Sequence, residues 1–224
     1  MSLYAVGDIH GNYLSLETLI EKTSPDDGDT LVFLGDFIDR GLFSNKVIDY
    51  ILDLTSKTNV ITLRGNHEVM MLEARKDYDK FNLWQGYGGF DTLASYYSDF
   101  EFSTWTKQIP KSHWEFVEST QNYYETDEFI FVHASVDHEK EMEDQHPKDL
   151  FWSGHFKTEP HFSRKTIICG HVPQKNGLPH DRGHSICIDT WAGMMRLTCL
   201  KLDDMTYLQA NEEGEVFDWQ ELRT

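Results

Sequence analysis

Short apolar runs punctuate this chain, most of them bounded by Gly, Asp or Asn. They fall at residues 3–6, 30–34, 59–63, 128–132, 166–169, 184–188 and 196–202, and their Val, Ile, Phe, Leu and Thr content predicts β-strands. Between the first three lie segments of helical period. Tyr13, Leu16, Leu19 and Ile20 share one face, and Val47, Ile48, Ile51 and Leu52 share another. The resulting β-α-β-α-β order predicts parallel strands joined by right-handed crossovers. From about residue 122 the strands follow one another with little helix between them, which predicts a second, mixed or antiparallel sheet. The expected architecture is two sheets packed face to face with helices outside, in one domain. Residues 69–121 are less regular, except that 111–120, after Pro110, reads as a helix burying Trp114, Val117, His113 and Phe116. Residues 139–161 are charged, carry two prolines, and read as a long loop anchored by Phe151 and Trp152.

The polar residues that follow the apolar runs change the picture from fold to chemistry. After 3–6 comes Gly7-Asp8-Ile9-His10-Gly11; after 31–34 comes Gly35-Asp36-Phe37-Ile38-Asp39-Arg40-Gly41. After 60–63 comes Arg64-Gly65-Asn66-His67-Glu68, after 129–132 comes His133-Ala134, and after 166–169 comes Gly170-His171. Ligands of α/β sheets bind beyond the carboxyl ends of strands, so these ends deliver carboxylate, amide and imidazole groups to one rim. That donor set, without thiolate, suits Mn²⁺, Fe²⁺, Zn²⁺ or Co²⁺. There are too many ligands for one ion. Two ions bridged by a carboxylate and a water would use them all, and would suit phosphoester hydrolysis.

Composition narrows the partners. Lys and Arg total 20 against 38 Asp and Glu, a formal charge of −18 over 224 residues, so bulk binding to nucleic acid or anionic lipid is not expected. A 13% aromatic content argues against disorder. No apolar run approaches the roughly 20 residues that cross a bilayer, and no signal peptide is evident, so a soluble cytoplasmic protein is expected. Cys169, Cys187 and Cys199 have no metal-ligand spacing and sit in apolar stretches, as buried free thiols do.

The ordered blocks GD-I-HG, GD-FI-DRG and GNHE, followed by two single histidines, resemble the PPP-type metallophosphoesterases, from Gly7 to His171. That group comprises the serine/threonine protein phosphatases, the phage lambda phosphatase and the symmetrical diadenosine tetraphosphate hydrolases. The segment 84–97, with Gly88-Gly89-Phe90-Asp91-Thr92-Leu93, is similar to the small bacterial members, as are Ile188-Asp189-Thr190 and Arg196-Leu197-Thr198. The resemblance implies the calcineurin-like metallophosphoesterase fold, of α/β (α+β) class, over 1–224 as a single domain, and a bacterial or phage origin. It also implies roles. Asp8 and His10 bind a first metal, Asp36 bridges, and Asn66, His133 and His171 bind a second. His67, oriented by Asp39, protonates the leaving oxygen, and Arg40, with Asn66, binds phosphate. The implied cofactors are two divalent ions, Mn²⁺ first, with Fe, Zn or Co as the others. A hydroxide bridging them attacks phosphorus in line, and the imidazolium beside a carboxylate donates the proton.

Two departures concern the substrate. The bacterial members carry a second phosphate-binding arginine in a W-x-R pattern, where this chain has Trp152-Ser153-Gly154; Arg164 and Arg182 are the nearby substitutes. Trp191 stands where the "IDTG" glycine belongs. The expected activity is a phosphoprotein phosphatase for phosphoserine and phosphothreonine, with phosphotyrosine as an extension. The alternative is a symmetrical diadenosine tetraphosphate hydrolase. A third, a phosphate-binding pseudo-phosphatase, requires a lost ligand or general acid, and neither is lost. Arg64 and Glu68 are expected to brace the site through ion pairs, and 84–97 to serve as core and lid. His113, His138, His146, His155, His161, His180 and His184 are expected at surface or structural positions, and 139–144 as a solvated acidic loop.

Overall fold

The computed structural model describes residues 1–99, 101–154 and 159–222. Its first half alternates strand and helix: β1 (Leu3–Val6), α1 (Tyr13–Thr23), β2 (Thr30–Phe33), α2 (Ser44–Leu54) and β3 (Asn59–Thr62). β1 pairs parallel with β2, and β2 with β3, as the βαβ reading requires. The apolar faces do as their period predicts: Leu16, Leu19 and Ile20 of α1 and Val47, Ile48 and Ile51 of α2 are buried.

The middle is more helical than its sequence suggests. It forms α3 (Asn66–Ala74), α4 (Tyr78–Trp84), a π-helical turn at Gln85–Gly89, α5 (Phe90–Tyr96), α6 (Trp105–Gln108) and α7 (Lys111–Ser119). α3 escapes a periodicity reading because its buried residues include Asn66, His67 and Glu68 beside Met70 and Met71. Aromatic contacts tie the region together, with Trp105 against Phe81, Trp84 and Trp114 at 5.2–5.4 Å between centroids.

The second half adds β4 (Tyr123–Glu125), β5 (Phe129–Val132), α8 (Pro147–Trp152), β6 (Thr166–Cys169), β7 (His180–Asp181), β8 (Ser185–Cys187), β9 (Leu197–Lys201), β10 (Thr206–Ala210) and β11 (Val216–Glu221). The 139–161 segment is therefore not all loop. Phe151 anchors α8 in the core, whereas Trp152 is 45% exposed and does not. The expectation that everything after 122 forms the second sheet fails at its end. β9, β10 and β11 extend the first sheet, in the order β11-β10-β9-β1-β2-β3, because β9 pairs antiparallel with the free edge of β1. The second sheet is β4-β5-β6-β8-β7, mixed, with β5, β6 and β8 parallel.

Two-residue alternation divides each strand between two cores. Ala5, Val32, Leu34, Phe129, Phe131, Ile168, Ile186 and Leu200 fill the space between the sheets. Val6, Leu31 and Phe33 face α1 and α2 on one outer side, and Ile130, Val132 and Cys187 face α8 on the other. The parallel strands of both sheets thus end along a common rim, and Asp8, Asp36, His133, His171 and Asp189 follow them.

Candidate active site

The rim is built by loops that interlock. Ile9 N–H and His10 N–H both donate to the Asp36 carbonyl, at 3.1 and 2.8 Å, so the turn after β1 is fastened to the turn after β2. Glu68 fastens the third turn. Its carboxylate, fully buried, accepts the N–H groups of Asp36, Phe37 and Gly65, each at 2.9 Å. Glu68 and Arg64 were expected to brace the site through ion pairs; they brace it through hydrogen bonds to the backbone and to Thr120. Arg64 donates to Thr120 Oγ1 and to the carbonyls of Glu118 and Thr120.

Close approach explains two glycines of the motifs. A Cβ on Gly65 would lie 2.0 Å from Asp36 Oδ1, and one on Gly170 2.0 Å from Asp8 Oδ1. The carboxylates occupy the space a side chain would need. His10, Asp36, Asp39, Arg40 and His171 all adopt φ between 48° and 73°, left-handed backbone that bulky residues avoid elsewhere.

Asp36 is central. Its Oδ2 lies 3.5 Å from His10 Nε2 and 3.9 Å from His67 Nε2, while its Oδ1 lies 3.5 Å from His133 Nε2. Asp36, His10 and His67 bring one ligand atom each within 4.8 Å of one another, and so do Asp36, Asp8 and His133. Burial pushes the Asp36 carboxyl up, but His133, His67, His10 and His171 outweigh it and hold it below the usual range.

The histidines divide into two kinds. His10 donates Nδ1–H to the Ile38 carbonyl at 3.0 Å, His133 donates Nδ1–H to the Leu34 carbonyl at 2.9 Å, and His171 donates to the Trp152 carbonyl. Each therefore turns its remaining nitrogen, as a lone pair, toward the cluster. Burial keeps all three neutral: His10 is lowered to about 3, His171 to about 4, and His133 also falls. His133 Nε2 and His171 Nδ1 approach Asn66 Oδ1 at 2.9 and 3.0 Å. Lone pairs converging on one point are the donor set of a cation site, so these residues fit a metal ion. Asp8 faces the same rim, 2% exposed, and accepts His171 N–H on both oxygens at 3.2 and 3.0 Å.

His67 is the other kind. Its Nδ1–H donates to Asp39 Oδ2 at 2.6 Å. Burial opposes its charge, yet Asp36 and Asp39 raise its pKa above the ordinary value. Asp39 in turn accepts Trp84 Nε1–H at 2.8 Å on Oδ2 and Thr92 Oγ1–H at 2.6 Å on Oδ1. Its own N–H donates to Thr92 Oγ1 at 2.8 Å and to Ser44 Oγ at 3.2 Å. Trp84, Thr92 and Ser44 are positioning groups that the motifs did not reveal. The GGFDTL resemblance held Thr92 without a role, and Ser44 carries no local signal.

Arg40 is exposed, and its Nη1 donates to His10 Nε2 at 2.8 Å, so its guanidinium reaches the cluster. Gly88 (φ 114°) lets the π-helical turn pass beneath it, its carbonyl accepting Arg40 N–H at 3.3 Å. Arg164 and Arg182 stand elsewhere. Arg164 stands two residues before β6, and Arg182 N–H pairs with the carbonyl of Ser185, the first residue of β8. Both lie at the amino ends of the parallel strands, opposite the rim. Trp191 adopts φ 64°, as a glycine would there, and donates its N–H to Asp189 Oδ1 at 3.0 Å. Its ring lies under Lys175 Nζ at 5.8 Å.

Other expectations resolve simply. Cys169, Cys187 and Cys199 are buried and form no disulfide among the described residues. His113 is buried between Tyr96 and Asp49, His161 is buried against Lys140 and Ser163, and His146 caps α8. His155 lies outside the described residues. Among the described residues, no helix is long and apolar enough to cross a membrane.

A family model described as calcineurin-like phosphoesterase matches residues 1–194. The serine/threonine-protein phosphatase 4 catalytic subunit of Candida glabrata is 34% identical over 89 residues, covering 35% of this chain and 29% of that protein. The symmetrical bis(5'-nucleosyl)-tetraphosphatase of Photorhabdus laumondii is 34% identical over 117 residues, covering 49% and 38%. A solved structure provisionally described as a diadenosine tetraphosphatase is alike in fold, with TM-score 0.68 and 18% identity, over 93% of this chain and 92% of that one. The chain spans between 24% and 38% of the length of the curated relatives it matches first. The matched span contains every residue of the cluster, and the two mixed sheets of the chain have the metallophosphoesterase arrangement. This chain belongs to the calcineurin-like phosphoesterase family.

Proposed function

We propose that this protein hydrolyses phosphate monoesters, phosphoserine and phosphothreonine of proteins first among them. Asp8, His10 and Asp36 would hold one divalent ion, and Asp36, Asn66, His133 and His171 a second. Such ions, Mn²⁺ first and Fe, Zn or Co otherwise, neutralise phosphoryl oxygens and make water a nucleophile at neutral pH. The chain's own residues do the rest. Arg40 grips the phosphoryl oxygens with charge-assisted hydrogen bonds, supported by its reach to His10. His67 holds a proton on Nε2, facing Asp36 and the rim, and gives it to the departing oxygen.

The observation that carries this reading is the 2.6 Å bond between His67 and Asp39 beside Asp36. An alkoxide of serine or threonine is a poor leaving group and needs that proton, whereas a phosphate leaving group needs it less. A second reading, symmetrical hydrolysis of dinucleoside tetraphosphates, is supported by the 34% identity to the symmetrical bis(5'-nucleosyl)-tetraphosphatase of Photorhabdus laumondii.

The test is turnover of a phosphoserine peptide and of a dinucleoside tetraphosphate by chelator-stripped protein reloaded with each metal. Phosphate release from the peptide with Mn²⁺ is expected. Turnover of the dinucleotide alone selects the second reading, and turnover of neither refutes both.

A further inference from the structure

We infer that Tyr96, His113 and Asp49 are positioning residues for proton donation by His67, holding α2 and α5 in the register that sets the Asp39 carboxylate. The inference rests on the reading of His67 given above and extends it to residues outside the cluster at the rim.

One end of the arrangement is Asp39. Its N–H donates to Thr92 Oγ1 and to Ser44 Oγ, its Oδ1 accepts Thr92 Oγ1–H, and the two hydroxyls lie 3.2 Å apart. Ser44 opens α2, and Thr92 stands on α5. The other end is His113 of α7, 3% exposed. Tyr96 O–H donates to its Nδ1 at 2.7 Å, and its Nε2–H donates to Asp49 Oδ1 at 2.9 Å. Asp49 belongs to α2, and Tyr96 is the last residue of α5. Each helix therefore touches Asp39 near its start and His113 about one turn later, a rise of roughly 6–8 Å.

Side chains set the register of α5 because its own chain does not. The helix has seven residues and is entered through Gln85–Gly89, where Gly88 has φ 114°. A helix that short has little stability alone, and a glycine-rich entry leaves its rotation free. What holds it is Leu93 in the core, Thr92 on Asp39, Ser95 Oγ accepting Asn45 N–H at 3.2 Å, and Tyr96 on His113.

The carboxylate of Asp49 selects the His113 tautomer. It takes Nε2–H, which leaves Nδ1 as a lone pair facing Tyr96. Burial, with Asp49, holds the Tyr96 phenol above its usual range, so it remains a donor. Removing either partner strands a polar atom of a buried imidazole. α5 then turns to relieve it and carries Thr92 Oγ1 off Asp39 Oδ1, where the bond is 2.6 Å. Asp39 is left to Trp84 and His67 alone, and the imidazole loses its fixed aim.

The experiment compares Tyr96→Phe with the natural protein on an alkyl phosphate and on p-nitrophenyl phosphate, with Mn²⁺ in excess. Beside it, proton NMR of the protein loaded with diamagnetic Zn²⁺ follows the downfield imidazole proton of the His67–Asp39 bond. Alkyl phosphate turnover should fall about fivefold with KM held within about twofold, p-nitrophenyl phosphate should lose less than about twofold, and the resonance should shift or broaden. His113→Leu should behave alike, whereas His113→Asn, whose amide oxygen accepts from Tyr96, should recover most of the loss. In a Thr92→Val background, Tyr96→Phe should add nothing. If Tyr96→Phe melts below the assay temperature, Asp49→Asn at its exposed side chain carries the test, with about a threefold loss confined to the alkyl phosphate. Equal losses on both substrates, full additivity with Thr92→Val, or an unmoved His67 resonance assigns the three residues to packing and overturns the inference. A flat leaving-group dependence in His67→Asn would instead refute proton donation by His67 itself, and the positioning role with it.

Discussion

The indole N–H of Trp84 donates to Asp39 Oδ2 at 2.8 Å, on the same oxygen that receives the proton of His67. The two residues are 45 positions apart. Trp84 thereby fixes a carboxylate whose orientation fixes an imidazole, and a residue of the aromatic core acts on the proposed proton donor.

Trp84→Phe keeps an aromatic ring and removes the donor. A hydrogen bond to a charged group contributes about 1.5–3 kcal/mol, so turnover of alkyl phosphates should fall roughly tenfold or more. Loss should be smaller for p-nitrophenyl phosphate, and the effect should not add to that of Asp39→Asn. Equal losses on both substrates, or strict additivity, would assign Trp84 to packing alone.

His67→Asn should cut turnover steeply for poor leaving groups and little for p-nitrophenolate, which needs scant protonation. A pair of substrates with leaving groups of different basicity measures this. A flat dependence would remove His67 from proton donation.

Asp36→Asn should lower metal content at both positions, because its two oxygens face opposite sets of ligands. His171→Ala should chiefly deplete one. Elemental analysis after dialysis checks both, and two ions retained by Asp36→Asn would contradict a bridging role.

Stability of the metal-free protein should fall as pH rises from about 6.5 to 8. Burial raises Glu68 to about 8 and Asp189 to about 7, and it raises Asp8 as well. At lower pH the lowered His10, His133 and His171 act in the opposite direction, because the unfolded chain protonates imidazoles that the fold keeps neutral. Once those imidazoles are neutral in both states, the native state binds more protons than the unfolded chain, and its advantage is lost as the carboxyl groups ionise. Metal should oppose the loss. Thermal melts across this window, with and without Mn²⁺, test it; a metal-free Tm that rises with pH there would refute it.

Gly154→Arg should tighten inhibition by inorganic phosphate, since a side chain there meets open space two residues beyond the Trp152 carbonyl that holds His171. Arg164→Ala and Arg182→Ala should be nearly silent, because both arginines stand at the far end of the second sheet. A loss in either as severe as that of Arg40→Ala would show that a relocated arginine completes the phosphate clamp.

The strands that carry the cluster were legible because each apolar run ends in a polar turn, and period and turn chemistry are local properties. α1 and α2 were legible for the same reason: one face of each is continuously apolar. α3 was not, because the residues it buries beside Met70 and Met71 include His67 and Glu68, whose polarity serves the rim. β9 to β11 were misplaced because an antiparallel strand joins whichever sheet edge is free. For β9 that edge was β1, which lies nearly 200 residues away in the chain. The motifs named Asp39 and His67 but not Trp84, Thr92 or the three amides on Glu68. Nor could they say which nitrogen of His10, His133 or His171 faces the cluster. Those facts depend on carbonyls and donors brought from distant elements by packing, and on burial that makes each unpaired polar atom costly. Residue types and their order reside in the sequence. Pairing, tautomer and the wrong end of a sheet for Arg164 and Arg182 arise only when the chain closes on itself.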